Sequence, residues 1–285
     1  MTDSDDDLAA ELAGEAGRRL LALRAGGGDN GALRDAGDRM SHEFLTGELA
    51  RRRPGDAVLS EEGADDPARL SARRVWIVDP LDGTREFGEP GRTDWAVHVA
   101  LWADGELTAG AVGLPAQGTV LSTAVLNSGE PPARRRAGPP EFSTRTETPA
   151  GTGADSGAPL RLLVSRTRPP AFVTDLAASL DAVLVPMGSA GAKAAAVIGG
   201  QADAYVHSGG QYEWDSAAPV AVARAAGLHA SRIDGSDLRY NQEDPSVPDI
   251  LICPIELAAT LLDAINRSRT AQPLRWAEPG QTTTQ

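Results

Sequence analysis

The stretch "WIVDPLDGTREF", residues 76–87, joins a hydrophobic run to a turn that carries two carboxylates. In a continuing strand, Asp79 and Asp82 would point to opposite faces of the sheet, because side chains alternate. Pro80 cannot donate a ladder hydrogen bond, so we expect the strand to end there and a turn to bring both carboxylates to one side. Together with the Leu81 carbonyl, they would form an oxygen-rich nest for a hard cation such as Mg²⁺. From this segment alone, a plain Asp-Gly turn whose aspartates cap backbone groups is an equally good interpretation.

Two further acidic segments fall where a predicted strand or helix begins or ends. "VLSEEG" places Glu61 and Glu62 after an apolar run, and "YEWDSAAP" places Asp215 at the start of a predicted helix. Taken singly, the first could be a surface loop and Asp215 an N-cap residue. Together the acids indicate a metal site, because Mg²⁺ sites are typically built from such termini around a substrate phosphate.

Composition limits the partners that the chain can bind. The chain has 285 residues, with 27 Lys and Arg against 40 Asp and Glu, and a formal net charge of −13. An acidic chain repels phosphate polymers and anionic lipid, so we expect neither a nucleic-acid polymer nor a membrane as partner. A small anionic substrate would need local positive charge, which a bound cation can supply.

The single cysteine and the amino end indicate the compartment. Cys253 has no partner for an internal disulfide, and its apolar run "DILICP" predicts a buried thiol. The acidic start lacks the basic and apolar regions of a signal peptide, and no run has the apolar length of a membrane span. We therefore expect a cytoplasmic protein.

Residues 1–126 predict an α+β lobe. Leucines recur at helical spacing over 8–25, and a second apolar stripe indicates a helix over 36–52. Short β-branched runs, punctuated by glycine and proline, then predict strands of one sheet. These runs are "RVWIV", "DWAVHVALW", "LTAGAVGLP" and "GTVLSTAVL".

The second half of the chain predicts an α/β lobe after a break. Residues 127–159 are rich in Pro, Gly, Ser and Thr and predict a flexible linker, in which "RRR" at 134–136 is interpreted as a solvated charge run. From 160 to 269 strand and helix patterns alternate, which favours an α/β fold. The polar tail 270–285 is predicted to be disordered.

The acidic motifs, taken with their order along the chain, resemble a known family. "WIVDPLDGTREF" and "EWDSAAPVAVARAAG" resemble the two signatures of the inositol monophosphatase-like superfamily, and "SEE" stands where that family keeps a metal-binding Glu. "AGDRMSHEFL" carries Asp38, 23 residues before Glu61, at the place of the family's water-orienting Asp. The resemblance runs from about residue 8 to 268. It implies the layered αβαβα sandwich of the inositol monophosphatase and fructose-1,6-bisphosphatase type.

Within that superfamily the chain is most similar to the 3′(2′),5′-bisphosphate nucleotidases of the CysQ type. Arg85, Glu86 and Phe87 follow the Gly-Thr pair where inositol enzymes more often have Thr-Asn-Phe, and "VSRTRPP" at 164–170 is also similar to that branch. Two departures are Arg85, where the branch usually has Lys, and Glu89, where a basic or polar neutral residue is usual. They bear on substrate preference rather than on metal chemistry.

The resemblance implies two or three Mg²⁺ ions per site, with Asp79 bridging two of them. Glu62 lies close enough along the chain to bear on a weaker third ion. The implied ligands are Glu61, Asp79, the Leu81 carbonyl, Asp82 and Asp215.

Other matched positions would handle the water and the phosphates. Asp38 and Thr84 are expected to orient the attacking water, with Asp38 accepting from the Thr84 hydroxyl. The N–H groups of Gly83 and Thr84 would bind phosphate oxygens if they begin a helix. A second phosphate is expected at Lys193 and Arg166. The full set of implied substrate contacts is Leu81, Asp82, Gly83, Thr84, Arg166, Gly188, Ser189, Lys193 and Asp215.

Four more side chains are given a structural role or an undecided one. Arg168 is interpreted as a solvated surface charge and His98 as a core histidine. His207 and Tyr212 either line the base side of a substrate or fill core and rim positions.

The resemblance implies a lithium-sensitive, Mg²⁺-dependent phosphatase of sulfur assimilation. It would remove the 3′-phosphate of adenosine 3′,5′-bisphosphate, and of the sulfated nucleotide, acting as a monomer or homodimer. One alternative is an inositol monophosphatase, fructose-1,6-bisphosphatase or histidinol-phosphatase with the same metals and a different pocket. Another is a non-catalytic nucleotide or cation sensor, since a fold alone does not imply function.

Overall fold

The computed structural model describes residues 4–127 and 158–271. The predicted linker lies outside the described residues except at its two ends, and so do the basic run at 134–136 and the predicted tail after 271. The division of the chain into two lobes stays a prediction.

The described residues form eight α-helices and ten strands, with two 3₁₀ turns at Pro67–Ser71 and Pro115–Gln117. The helices are α1 (Asp5–Ala25), α2 (Asn30–Arg52), α3 (Thr84–Gly88), α4 (Thr123–Asn127), α5 (Phe172–Ser179), α6 (Ala190–Ile198), α7 (Glu213–Ala225) and α8 (Ile255–Ala271). The strands are β1 (Ala57–Ser60), β2 (Arg74–Asp82), β3 (Ala96–Ala103), β4 (Glu106–Leu114), β5 (Thr119–Ser122), β6 (Arg161–Ser165), β7 (Val183–Met187), β8 (Ala204–Tyr212), β9 (His229–Ser231) and β10 (Ser246–Cys253).

The two long N-terminal helices form where predicted, with an earlier start for α2. The Asp29 side chain caps α2 by accepting from the Gly31 and Ala32 N–H groups, so the helix begins at Asn30 rather than at 36. The apolar stripe predicted for α1 is buried from Leu8 to Leu20 and half-buried at Leu23. It therefore supplies one face of the first hydrophobic layer.

The first sheet has the order β1-β2-β3-β4-β5, in which β1 and β2 are parallel and the remaining pairs are antiparallel. Two expectations were wrong in this region. The run "GTVLSTAVL" is a strand only through Ser122 and then becomes α4. Strand β2 also does not end at Pro80 but continues to Asp82.

A bulge lets β2 pass its proline. The pairing register shifts between Asp79, which lies opposite His98, and Asp82, which lies opposite Ala96. Three residues of β2 therefore advance against two of β3, and the extra residue leaves Pro80 with no ladder bond to donate. One extra residue also changes the alternation of side chains, so two aspartates three apart now face the same side.

The second sheet has the order β7-β6-β8-β10-β9. Strand β6 is parallel to β7 and β8, whereas β10 is antiparallel to β8 and β9. The predicted buried thiol of Cys253 lies in β10 and has no exposed surface.

Helices and sheets alternate in five layers. Helices α1 and α2 share a buried cluster with one face of the first sheet. Helices α6 and α7 pack between the two sheets, and α5 and α8 cover the outer face of the second sheet. This arrangement confirms the predicted αβαβα sandwich. In the part of the chain that the structure describes, no helix is long and apolar enough to cross a membrane.

Candidate active site

Three carboxylates converge where the first sheet meets the middle helix layer. Asp79, Asp82 and Asp215 each place a carboxylate oxygen within 4.8 Å of the other two. The β2 bulge contributes the first two, and the first turn of α7 contributes the third. The sequence therefore predicted these three correctly as neighbours.

Asp215 is held by the backbone at the start of its helix. Its Oδ2 accepts from the Tyr212 N–H at 2.7 Å, and Tyr212 is the N-cap residue. Asp215 is thus the third residue of α7 and not its N-cap, which corrects one interpretation of the sequence. Burial, together with the charge of Asp82, raises the pKa of Asp215 to about 7.

Asp79 is almost fully buried, and its Oδ1 accepts from the Leu81 N–H at 3.0 Å. Burial and the nearby charges of Glu61 and Asp82 raise the pKa of Asp79 well above its usual range. The Glu61 carboxylate lies within hydrogen-bonding reach of Asp79 but outside the 4.8 Å cluster. The structure therefore places Glu61 beside the cluster rather than within it.

Asp82 differs from its neighbours because donors surround it. Its Oδ2 accepts from the Ser189 hydroxyl at 2.5 Å and from the Gly191 N–H at 2.9 Å, and it lies 3.1 Å from His98 Nε2. Burial alone would raise the pKa of Asp82, but the charges of His98 and Lys193 and the Ser189 hydrogen bond lower it to about 2. Asp82 is thus the carboxylate of the cluster that stays ionised most easily.

His98 is buried as predicted, but it is more than a core histidine. Its Nδ1 lies 3.0 Å from the Trp214 carbonyl, and its Nε2 faces Asp82. The sequence offers one signal for this contact, because pairing β2 with β3 sets His98 opposite Asp79. The length of the bulge decides which aspartate it meets, and that length is not visible in the sequence.

The donor set fits a hard divalent cation. The cluster offers only carboxylate oxygens, and two of its three members have pKa values raised by burial and mutual repulsion. A bound cation reverses both effects, because it stabilises the ionised carboxylates that the protein alone disfavours. Oxygen-only sites of this kind suit Mg²⁺, Ca²⁺ or Mn²⁺.

Asp38 and Thr84 meet at the edge of this cluster. The Thr84 hydroxyl lies 3.0 Å from the Leu81 carbonyl and 3.4 Å from Asp38 Oδ1. The Leu81 carbonyl, which the sequence predicted as a cation ligand, is thus one of two acceptors within reach of the Thr84 hydroxyl, and Asp38 is the other. Burial and the charge of Glu62 raise the pKa of Asp38 to about 7.

Gly83 shapes the corner between the bulge and α3. Its φ of 84° lies in the left-handed region, and a Cβ there would come within 3.2 Å of the Asp94 carbonyl oxygen. Glycine therefore fits this position on both counts. Thr84 follows directly and is the first residue of α3. The prediction that the Gly83 and Thr84 N–H groups bind phosphate oxygens required a helix to begin at this point.

A cavity of about 260 Å³ opens beside the cluster. It brings together every implied substrate contact except Leu81, whose side chain is buried in the core. The sequence interpretation gave no site role to six polar side chains of its lining, which are Arg85, Glu86, Ser165, Thr167, Tyr205 and Gln211. It interpreted Arg168 as a solvated surface charge, and Arg168 also lines the cavity.

Two of the predicted cations are already engaged with the protein. Arg166 forms ion pairs with Glu86 and Glu89, and Lys193 Nζ donates to the carbonyls of Gly188 and Ser189. Both side chains line the cavity as predicted, but neither presents an uncommitted charge.

His207 lines the cavity, whereas Tyr212 does not. His207 Nε2 lies 2.7 Å from the Gly209 carbonyl, which makes Nε2–H the donor and leaves Nδ1 as an acceptor. Tyr212 is exposed and stacks on Trp214 with ring centroids 4.8 Å apart. Of the two, His207 is therefore the one placed to meet a ligand.

Comparison with known protein families matches residues 7–270 of this chain to the inositol monophosphatase family. The chain belongs to the inositol monophosphatase family. The resemblance inferred from the acidic motifs is therefore confirmed, and family membership extends over nearly all of the described residues.

Individual relatives refine that placement. The chain is 51% identical over 260 residues to a 3′-phosphoadenosine 5′-phosphate phosphatase from Mycobacterium bovis, covering 88% of this chain and 89% of that protein. It is 29% identical over 249 residues to the 3′(2′),5′-bisphosphate nucleotidase CysQ of Escherichia coli O157:H7, covering 84% and 94%. Similarity to the CysQ-type branch of the family is thus confirmed.

A solved member of the family shares the fold. Inositol monophosphatase II from Staphylococcus aureus MSSA476 superposes with a TM-score of 0.68 at 20% identity, covering 92% of this chain and 95% of that one. At that identity the likeness shows the family's fold and does not indicate the substrate.

Proposed function

We propose that this protein is a Mg²⁺-dependent phosphatase that converts adenosine 3′,5′-bisphosphate to AMP and phosphate. The observation that carries this proposal is the cluster of three carboxylates, two of which line a cavity that also contains three arginines and a lysine. The 51% sequence identity to a relative named for this substrate favours the nucleotide over an inositol or sugar phosphate. Action on the sulfated nucleotide and a role in sulfur metabolism would follow from the same pocket.

The metal would be held by the side chains of Asp79, Asp82 and Asp215, with Glu61 and the Leu81 carbonyl beside them. When bound, divalent cations supply Lewis-acid stabilisation of phosphoryl oxygens and lower the pKa of a bound water. The ionised state of Asp82 prepares this chain for the cation, because its negative charge is already favoured. Two or three ions per site stay a prediction.

Asp38 and Thr84 would position the water that attacks phosphorus. The Thr84 hydroxyl has two acceptors within reach, Asp38 and the Leu81 carbonyl, and has one proton to give. While it donates to Asp38, its own lone pairs can accept from a water and fix the direction of that water. Positioning of this kind matters in phosphoryl transfer, since the protein contributes little covalent chemistry.

The corner at Gly83 would hold the phosphate that is removed. Gly83 and Thr84 line the cavity at the start of α3, and Ser189 lines it beside them, since a Cβ on Gly83 would come within 3.3 Å of the Ser189 Cβ. The single proton of the Ser189 hydroxyl is donated to Asp82, so Ser189 joins the phosphate corner to the metal side and has only a lone pair left for a ligand. Phosphate binding here supports the orientation required for in-line attack.

Phosphate release tests the proposal directly. The full chain should hydrolyse adenosine 3′,5′-bisphosphate with Mg²⁺ and lose that activity in EDTA, with recovery when Mg²⁺ is restored. A panel with inositol 1-phosphate, fructose 1,6-bisphosphate and histidinol phosphate should give lower kcat/KM for each. Equal rates with and without EDTA would exclude the metal mechanism, and a higher kcat/KM for another substrate would reassign the pocket.

Binding without turnover is the remaining outcome. If the chain binds the bisphosphate in Mg²⁺ and releases no phosphate, it is a nucleotide or cation sensor on a phosphatase fold. The cytoplasmic location and the monomeric or homodimeric state stay predictions of the sequence.

A further inference from the structure

Four cationic side chains line the cavity: Arg85, Arg166, Arg168 and Lys193. A nucleoside bisphosphate brings two phosphates into this space, and the carboxylate cluster with its metal accounts for only one of them. The second phosphate must be neutralised by side-chain cations on a chain that is acidic overall. The side chains that can do so are those whose charge is not already committed.

Arg166 is committed to two carboxylates. Its Nε lies 3.0 Å from Glu86 Oε1, and its two terminal nitrogens lie 3.0 and 2.7 Å from the oxygens of Glu89. This bidentate, charge-assisted arrangement leaves the guanidinium more than neutralised. A phosphate at this point would also face the negative charge of both glutamates.

Lys193 is committed to the backbone. Its Nζ donates to the Ser189 and Gly188 carbonyls at 2.7 and 2.8 Å, and the side chain is only 5% exposed. These bonds fix the turn that leads into α6, where Ser189 and Gly191 hold Asp82. Lys193 is therefore a positioning residue for the metal side of the cavity.

Arg85 and Arg168 are different, because both are exposed at the cavity and neither guanidinium has a hydrogen-bond or ion-pair partner among residues 4–127 and 158–271. Arg85 follows Thr84 in α3, and Arg168 lies just after β6, so they approach from the two different sheets. The main chain of Arg168 is nevertheless fixed, since its N–H donates to the Ser165 hydroxyl at 3.1 Å.

The backbone beside Arg168 leaves room for its guanidinium. Gly210 has a φ of 67°, and a Cβ at that position would come within 3.3 Å of Arg168 Nη1. Any other residue there would therefore be strained and would crowd the guanidinium. Arg168 is exposed, as the sequence predicted for a solvated surface charge, and its side chain also lines the cavity.

We propose that Arg85 and Arg168 form a phosphate clamp for the second phosphate of a nucleoside 3′,5′-bisphosphate, the one that is not hydrolysed. The inference rests on the proposed function and adds the residues that select a bisphosphate over a monophosphate. Two guanidinium groups that line one cavity and follow strands of different sheets can each offer a bidentate pair of N–H donors to one phosphate. In this arrangement Arg166 joins the two sheets and does not bind substrate.

The test compares two substrates on single and double variants of the full chain. We expect Arg85→Gln and Arg168→Gln each to lower kcat/KM for adenosine 3′,5′-bisphosphate by about 10- to 100-fold, the size of a lost charge-assisted contact. The same variants should change kcat/KM for adenosine 3′-monophosphate by less than about threefold, because that substrate lacks the second phosphate. Arg168→Lys should recover part of the loss, since the charge returns without the planar fork.

Two controls separate the clamp from general damage. Arg239→Gln removes an exposed arginine that lines a separate cavity and should leave both substrates unchanged. Arg166→Gln should lower the melting temperature and reduce the rates for both substrates by a similar factor. Melting temperatures of the clamp variants should match that of the unmodified protein.

The outcomes distinguish the clamp from the function on which it rests. If the unmodified protein does not prefer the bisphosphate to the monophosphate, the proposed function fails before any variant is considered. If it does prefer the bisphosphate but the clamp variants lose both substrates equally, the clamp is wrong. A selective loss in Arg166→Gln alone would give the second phosphate to Arg166 and would also overturn the clamp.

Discussion

The two walls of the cavity differ in both charge and freedom. The catalytic wall, formed by Asp82, Gly83, Thr84 and the residues packed behind them, is held by the β2 bulge and a dense set of hydrogen bonds. The recognition wall, formed by 165–168 and the strand around His207, is cationic and partly exposed. Of the three clustered carboxylates, Asp215 is the one that comes from the second half of the chain, which also forms the second sheet.

This difference separates two kinds of variant. A change on the catalytic wall should reduce turnover of every phosphate ester, because it affects the metal, the water or the transferred phosphate. A change on the recognition wall should alter preference among substrates and leave the chemical step in place.

The largest effect is expected at Asp82. Asp82→Asn keeps the side-chain shape and an acceptor for the Gly191 N–H, but it removes a charge from the metal cluster. We expect kcat to fall by at least about a thousandfold for bisphosphate and monophosphate alike, the scale of lost metal stabilisation. Circular dichroism should show an unchanged fold.

Asp104→Asn is the matched control for that variant. Asp104 lies between β3 and β4 with a φ of 51°, a conformation that asparagine tolerates well, and pairs only with Arg73 among the described side chains. Its rates should equal those of the unmodified protein. Substantial turnover by Asp82→Asn would remove Asp82 from the metal site.

Asp38→Asn should give the next largest effect. The variant keeps an acceptor for the Thr84 hydroxyl but loses the charge that orders the water, so we expect kcat to fall by about a hundredfold. The loss should be equal for the two substrates, and metal binding measured by calorimetry should be unchanged. Glu43→Gln, an exposed position on the same helix, is the control. A selective loss on the bisphosphate would move Asp38 to the recognition wall.

His207 should make the recognition wall sensitive to acid. Burial, with the positive charges of Lys193 and Arg168 nearby, lowers the pKa of His207 to about 4. The unfolded chain takes up a proton near pH 6.5, so the stabilisation is complete above that pH and is lost as the pH falls toward 4. Between pH 8 and pH 5 this one group should cost about 2 kcal/mol of unfolding free energy.

Urea denaturation at the two pH values measures that difference. In His207→Asn, the fall in unfolding free energy from pH 8 to pH 5 should be smaller than in the unmodified protein by that amount. An identical pH dependence in both proteins would mean that His207 becomes protonated in the folded chain as readily as in the unfolded one.

The smallest effect is expected at Glu89, the partly exposed partner of Arg166. Glu89→Gln leaves Arg166 with one carboxylate instead of two. The melting temperature should change by at most about 2 °C, since partly exposed ion pairs contribute little. Arg166 stays paired with Glu86, but one negative charge near the recognition wall is removed, so KM for the bisphosphate should fall by about two- to threefold, with no change for the monophosphate. A fall for both substrates would place the effect on the catalytic wall.

The sequence predicted the chemistry of the site better than its local geometry. The acids at 79, 82 and 215 mark strand and helix ends, which the hydrophobic pattern locates well, so their convergence could be inferred. The path of the chain past Pro80 could not be inferred, because a proline is equally compatible with a strand end and with a bulge. The contact between His98 and Asp82 depends on that choice and was missed with it.

The cations show a different limit of sequence analysis. Arg166 and Lys193 were selected as phosphate ligands by their positions in family-like motifs, and both do line the cavity. Their partners, however, are a glutamate pair about eighty residues away and two carbonyls of a turn. Tertiary pairing of this kind has no local signature, so a sequence indicates where positive charge stands but not whether it is already neutralised.

Because of the β2 bulge, the site depends on the spacing between Asp79 and Asp82 as well as on the residues that are present. At the observed spacing of three residues, pairing β2 with β3 without the bulge would restore regular alternation and turn one of the two carboxylates toward the helices α1 and α2. Every letter of the motif would be unchanged, yet the site would lose half of its contribution from this strand. For this segment, the number of residues between the two aspartates and the presence of the bulge therefore have to match, and a comparison of residue types alone would not detect a chain that keeps only one of them.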